Sequence, residues 1–224
     1  MGTLYLVRHG QASLGADDYD RLSELGQRQS LRLGEYFAHK GLRFDAVVRG
    51  GLRRHAQTLA GIAQGMGANT LTAEQVHAGL NEYDSEAVVR SIAGDTAARP
   101  TTPETVRTHF LQLRSGLQQW AAGSLTPAGM VPYRDFAAGV AQVLEQVRTQ
   151  HQGNVLLVSS GGPIATAVAL TLGTSPEAFV ELNMRIRNTA LSEFAFSPKR
   201  HALLTFNTLP HLDAPAYADW ASYA

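Results

Sequence analysis

Two short apolar runs do most to limit how this chain can fold. Leu4-Tyr5-Leu6-Val7 runs straight into Arg8-His9-Gly10, and Val155-Leu156-Leu157-Val158 runs through Ser159-Ser160 into Gly161-Gly162-Pro163. Runs this short and this apolar read as buried strands, and the glycines mark where the chain turns out of them. An apolar helix is expected over 164–172 after the second turn, and Phe44-Asp45-Ala46-Val47-Val48 is a further short strand ahead of a helix. Strands alternating with helices predict an α/β fold of three layers, α/β/α, around a mostly parallel central sheet. Ligands of such sheets bind at the carboxyl ends of the strands, which is where Arg8 and His9 fall.

The remaining elements follow from caps and periodicity. Residues 3–8 form the first strand and 10–22 a polar loop. A helix opens with Ser23 as N-cap, continues through Leu33 and Phe37, and stops near Gly41. A third strand is expected at 70–76. Thr102 and Pro103 start a helix whose apolar positions are Val106, Phe110, Leu113, Leu117 and Trp120, and a second helix spans Tyr133 to Gln150. Arg187–Phe196 and Arg200–Thr208 alternate as a hairpin of edge strands turning at 197–199. At 224 residues the chain fits a single domain, 1–224, with a helical insertion at about 85–152. The tail from Asp213 to Ala224 packs on the domain or on a partner subunit; a homodimer through this tail or the edge hairpin stays open.

Composition excludes several classes of function. Lys+Arg and Asp+Glu are 19 each, so the zero net charge gives no nucleic-acid-binding surface. The chain has no cysteine, which removes disulfides, thiolate nucleophiles and cysteine-ligated metals. No secretory signal and no apolar run of membrane-spanning length are read, so a cytoplasmic protein without a membrane partner is the expectation.

The chemistry-bearing residues lie at the strand ends. Arg8 offers a planar cationic fork suited to phosphate, and His9 a ring nitrogen that serves as nucleophile or base near neutral pH. Leu6-Val7-Arg8-His9-Gly10-Gln11-Ala12-Ser13 resembles the signature of the histidine phosphatase superfamily, the phosphoglycerate-mutase-like proteins. Leu22-Ser23-Glu24-Leu25-Gly26-Gln27-Arg28-Gln29 resembles the start of that family's first helix. Leu52, Arg54 and Thr58 match its Ser-x-Leu-x-Arg-Ala-x-x-Thr pattern, and Leu80-Asn81-Glu82 its Leu-x-Glu.

The resemblance implies metal-independent phosphomonoester hydrolysis with no cofactor. Arg8 and Arg54 clamp the phosphate, His9 takes the phosphoryl group as a phosphohistidine, and Glu82 acts as general acid and then general base. Ser160 and Gly161 complete the phosphate-binding cradle, with Gln11, Ser13 and His211 as further candidates. The substrate would be a phosphorylated small molecule or a phosphoprotein. The helical insertion would lie over the pocket.

Three positions depart from the family pattern: Gly50 stands for its serine, His55 for its alanine, and Ser160 for the second histidine of Val-Ser-His-Gly-Gly. A serine donates a hydrogen bond but brings no positive charge, and losing one transition-state donor typically costs about 10²–10³ in rate. His55 reads as a surface or packing residue, His211 as a conceivable substitute for the missing histidine, and Arg49, Arg53, Arg185 and Arg187 as solvent-facing. A non-catalytic phosphate- or phosphopeptide-binding protein on the same fold is the rival reading, and a phosphoglycerate-type mutase a third.

Overall fold

A computed structural model describes residues 1–13, 20–67, 71–94 and 102–223. Six strands, β1 (Gly2–Arg8), β2 (Ala46–Arg49), β3 (Glu74–Val76), β4 (Gly153–Ser159), β5 (Leu191–Ser197) and β6 (Arg200–Thr208), form one sheet in the order β3-β2-β4-β1-β5-β6. The β3-β2-β4-β1 half is parallel, while β5 and β6 add an antiparallel edge. Because β4 inserts between β1 and β2, the carboxyl ends of these three strands lie side by side, with Arg8 opposite Ser159.

Side-chain alternation distributes the core between the two faces. Val7, Val47, Leu156 and Val158 pack with Leu33, Phe37, Leu59 and Ile62 of α1 (Glu24–His39) and α2 (Arg53–Met66). Leu4, Leu6, Val48, Val155 and Leu157 face the other layer, built from α3 (Ser85–Ala93), α4 (Pro103–Ala121), α5 (Tyr133–Gln150), α6 (Gly161–Leu172) and α7 (Pro176–Asn183). The fold is therefore the expected three-layer α/β architecture with a mostly parallel sheet. Among the described residues no helix is long and apolar enough to cross a membrane.

The caps read from the sequence are present. Ser23 accepts from the Gly26 amide at the start of α1, and Thr102 with Thr105 makes a reciprocal capping box ahead of Pro103. Several expectations need correction. The third strand covers only Glu74–Val76, and residue 70 lies outside the described residues. In α4 the buried face is Leu113, Leu117 and Trp120, whereas Phe110 is exposed, because only the second half of the helix lies against the core. Residues 187–190 are not strand: they form a turn in which Thr189 adopts φ +55°. The last strand pair begins only at Leu191.

Candidate active site

The site grows from the end of β1. His9 is 2 % exposed, and its amide donates to the Ser159 carbonyl of β4 at 2.8 Å. Its Nδ1 lies 2.7 Å from the Gly10 carbonyl oxygen. A carbonyl only accepts, so Nδ1 carries the proton and Nε2 presents its lone pair. Burial, with Arg8, Arg54 and His55 nearby, holds the imidazole well below the usual histidine range and hence neutral. The Gly10 amide donates to Thr58 Oγ1 at 3.0 Å, which in turn donates to the Arg54 carbonyl at 2.7 Å, so the β1 turn is bonded to the first turns of α2.

Arg8 donates through Nη1 to the carbonyl oxygens of Ile186 and of Tyr223, the latter at 2.7 Å. Arg54, at the start of α2, is 6 % exposed; its Nη1 pairs with Asp20 at 2.8 Å and its Nη2 donates to Ser160 Oγ at 3.4 Å. Arg54 rather than Arg53 points inward, as the register of the second motif requires. Asp20 also accepts from the Arg53 amide at 2.7 Å, and so caps a helix whose own N-cap residue, Leu52, has no side-chain acceptor.

Glu82 follows a single 3-10 turn, Ala78–Leu80, held by two contacts. Ser159 Oγ donates to the Leu80 carbonyl at 2.7 Å, and the Gly51 amide to Asn81 Oδ1 at 2.6 Å. The Glu82 carboxylate accepts from the Gly162 amide at 3.0 Å, at the positive end of α6. Burial raises its pKa against the opposing pull of Arg54, Arg8 and these amide bonds. Both arginines thus act electrostatically on His9 and on Glu82, which places two cations, one neutral imidazole and one carboxyl in a single cluster. Tyr83 links this cluster to the helical layer: its ring packs against Trp120 and Phe136, and its hydroxyl accepts from Asn183 at 2.8 Å.

Ser160 sits at the N-cap of α6 but does not cap it. Its Oγ lies 2.7 Å from Nε2 of His55, a fully buried residue brought down to about 3 by burial first and then by Arg54. Gly161 opens α6 beside Ser160. Gln11 accepts from Ser23 Oγ at 2.8 Å through its side chain, and Ser13 reaches Arg21 through its amide, so both serve the loop around α1. Residues 14–19 of that loop lie outside the described residues.

His211 is not beside Ser160. It is 1 % exposed and bonds to Thr189 Oγ1 at 2.9 Å, with burial lowering it to about 3. The histidine that reaches Ser160 is His55. Arg49 is not solvent-facing either: it pairs with Glu74 at 2.5 Å across β2 and β3. Arg185 is exposed, and Arg187 is turned to the carbonyl of Asn207.

Sequence reasoning missed a brace made by the turn before β5 and the tail. The Thr189 amide donates to the Arg8 and His9 carbonyls at 3.1 and 3.3 Å, and Asn188 Nδ2 to the His9 carbonyl at 3.2 Å. The Asn188 amide donates to the Ser222 carbonyl at 2.8 Å, and Gln29 Nε2 to the Trp220 carbonyl at 2.6 Å. The tail therefore packs back on its own domain. Neither Asn188 nor Thr189 carries a local signal, because the partners of both lie far along the chain.

Among the described residues, no group of three or more His, Cys, Asp or Glu is placed to hold a metal ion. The arrangement can bind a tetrahedral anion between two guanidiniums, present a neutral ring nitrogen to it, and hold alongside a carboxyl whose pKa burial raises.

No curated protein matches the sequence. Among solved structures, a mutant phosphoserine phosphatase from Entamoeba histolytica in complex with phosphoserine is 19% identical, with a TM-score of 0.67, over 95% of this chain and 100% of that one. A mycobacterial glucosyl-3-phosphoglycerate phosphatase complexed with VO3 is 22% identical, also with a TM-score of 0.67, over 93% and 100%. YhfR from Bacillus stearothermophilus is 18% identical with a TM-score of 0.69, over 94% and 99%. These likenesses establish the fold. Residues 4–209 match the description of one family, and on that match over nearly its whole length the chain belongs to the histidine phosphatase superfamily, branch 1.

Proposed function

We propose that this phosphatase-superfamily enzyme hydrolyses phosphomonoesters by two in-line transfers through a phosphohistidine on His9. The observation that carries the reading is the fixed tautomer of His9. With Nδ1–H held on the Gly10 carbonyl and the ring neutral, the Nε2 lone pair is available to phosphorus within the field of two arginines. In the first step the N–P bond forms as the ester O–P bond breaks. Arg8 and Arg54 take up charge on the equatorial oxygens, and Glu82 gives its proton to the leaving oxygen. In the second, Glu82, now a carboxylate, takes a proton from water; the water oxygen bonds to phosphorus, the N–P bond breaks, and inorganic phosphate leaves.

The substrate class is a phosphorylated small molecule or a phosphoprotein side chain. Two structural neighbours are a phosphoserine phosphatase and a glucosyl-3-phosphoglycerate phosphatase, so phosphate esters of small polar molecules make the first panel. The test is phosphate release from a generic aryl phosphate by wild type and His9→Ala, with and without a chelator. Turnover that is lost in the variant and indifferent to the chelator is expected. Inhibition by the chelator, or an active His9→Ala, overturns the reading. Ser160 in place of a histidine favours the rival, a protein that binds phosphorylated ligands without hydrolysing them; wild type that binds vanadate yet is inert on the whole panel would establish it.

A further inference from the structure

The three positions at which this chain departs from the family pattern meet at His55. A side chain on Gly50 would come within 2.3 Å of Nδ1 and 2.6 Å of Cε1 of His55, so the imidazole fills the space that a serine at 50 would need. From there Nε2 reaches Ser160 Oγ at 2.7 Å, across 105 residues of sequence. The His55 ring centroid is 5.9 Å from that of His9, and both rings are buried.

Hydrogen-bond geometry distinguishes the two ring nitrogens of His55. The Gly50 backbone lies beside Nδ1, yet no hydrogen bond of normal geometry forms there. A buried N–H without an acceptor is rarer and more costly than a bare lone pair. This favours Nε2 as the protonated nitrogen, donating to Ser160. Arg54 Nη2 donates to the same oxygen. With both lone pairs of Oγ engaged, the hydroxyl hydrogen remains to be donated, and the Ser160 hydroxyl makes no other hydrogen bond among the described residues.

We propose that His55 and Ser160 work as one unit, in which His55 orients the Ser160 hydroxyl as a donor to the bound phosphoryl group, so that the pocket supplied from position 160 in the family pattern is supplied here jointly from 55 and 160. Ser160 is the group that touches substrate and His55 is a positioning residue. The proposal rests on the phosphatase reading only for the identity of the ligand, a phosphoryl group or its analogue.

The experiment is a double-mutant cycle read on kcat, KM and vanadate affinity, using His55→Leu, Ser160→Ala and the double variant, with His55→Gln as the conservative replacement. Leucine keeps the bulk without a donor; glutamine keeps a donor. His55→Leu and Ser160→Ala are each expected to lower kcat by about 100- to 1000-fold, the range for losing one oriented donor. The double variant should be no worse than the poorer single one, and His55→Gln should recover part of the loss. Losses that multiply in the double variant, or equal activity of the leucine and glutamine variants, overturn the proposal. If wild type hydrolyses nothing, the same cycle on vanadate affinity decides: coupled losses sustain the unit and sink only the hydrolytic reading. Should a variant not fold, nitrogen-15 NMR of wild type decides instead. An Nε2–H tautomer whose signal moves on adding vanadate is expected, and an Nδ1–H tautomer refutes the arrangement.

Discussion

Replacing Gly50 by alanine puts one methyl carbon into the space that the His55 ring fills. That carbon would lie 2.3 Å from Nδ1, 2.6 Å from Cε1 and 2.8 Å from the Leu80 carbonyl oxygen, all well inside van der Waals contact. None of these neighbours is a loose end. His55 is 0 % exposed and bonded to Ser160, and the Leu80 carbonyl accepts from Ser159. Overpacking of this kind costs about 1–3 kcal/mol. For a chain of this size, each kcal/mol lowers Tm by about 2–4 °C. His55→Ala alone leaves a cavity and removes one of the two hydrogen bonds at Ser160 Oγ, and is destabilising by roughly 2–4 kcal/mol. In the double variant Gly50→Ala/His55→Ala the methyl group meets no ring, so the combined cost should fall short of the sum of the single costs by about 1–3 kcal/mol. The assay is urea unfolding at pH 7, comparing midpoints at constant slope. Single costs that add to within about 0.5 kcal/mol would mean that the ring does not occupy the space beside Gly50, and the placement of His55 on Ser160 would fall with it.

Three further outcomes are expected. His55 and His211 are each brought down to about 3 in the folded chain, so below the ordinary value of 6.5 the unfolded chain binds protons that the native one does not. Stability is then full above about pH 6.5 and falls as pH drops toward 3, by up to about 1.4 kcal/mol per pH unit for each ring; His211→Gln should flatten the urea-midpoint profile between pH 6.5 and 4.5, and an unchanged slope would refute the assignment. Burial raises the Glu82 pKa, so the protonated acid persists above the ordinary carboxyl range and kcat/KM should fall as pH rises through that raised value. Glu82→Gln should lower kcat by about 10²–10⁴ and abolish that alkaline limb; a limb that survives in the variant belongs to another group. His211→Ala should cost about 1–3 kcal/mol of stability through Thr189 yet keep kcat within about tenfold of wild type, whereas loss of all turnover would place His211 in the pocket after all.

The buried strand through Leu4, Leu6 and Val7, the caps at Ser23 and Thr102, and the strand-end position of Arg8 and His9 were all legible in the sequence. Each depends on residues within a few positions of one another, where periodicity and capping act. The register that turns Arg54 rather than Arg53 inward was legible too, through the resemblance of Leu52, Arg54 and Thr58 to the family pattern. Propensity over-reached where tertiary contact set the backbone. Residues 187–190 alternate like a strand, but Asn188 and Thr189 are drawn into a turn by the carbonyls of Arg8 and His9 and by the tail at Ser222.

The carboxylate that caps α2 and the imidazole that reaches Ser160 are tertiary decisions. Asp20 is 33 residues from Arg53, and His55 is 105 from Ser160. Gly50, His55 and Ser160 are three unrelated exceptions when read along the chain. They become one arrangement only because β4 inserts between β1 and β2, bringing the ends of β2 and β4 together. A linear sequence shows which side chains can donate, accept or carry charge. Which of them meet is decided by strand order and close packing, because a hydrogen bond acts over about 3 Å whatever the separation along the chain.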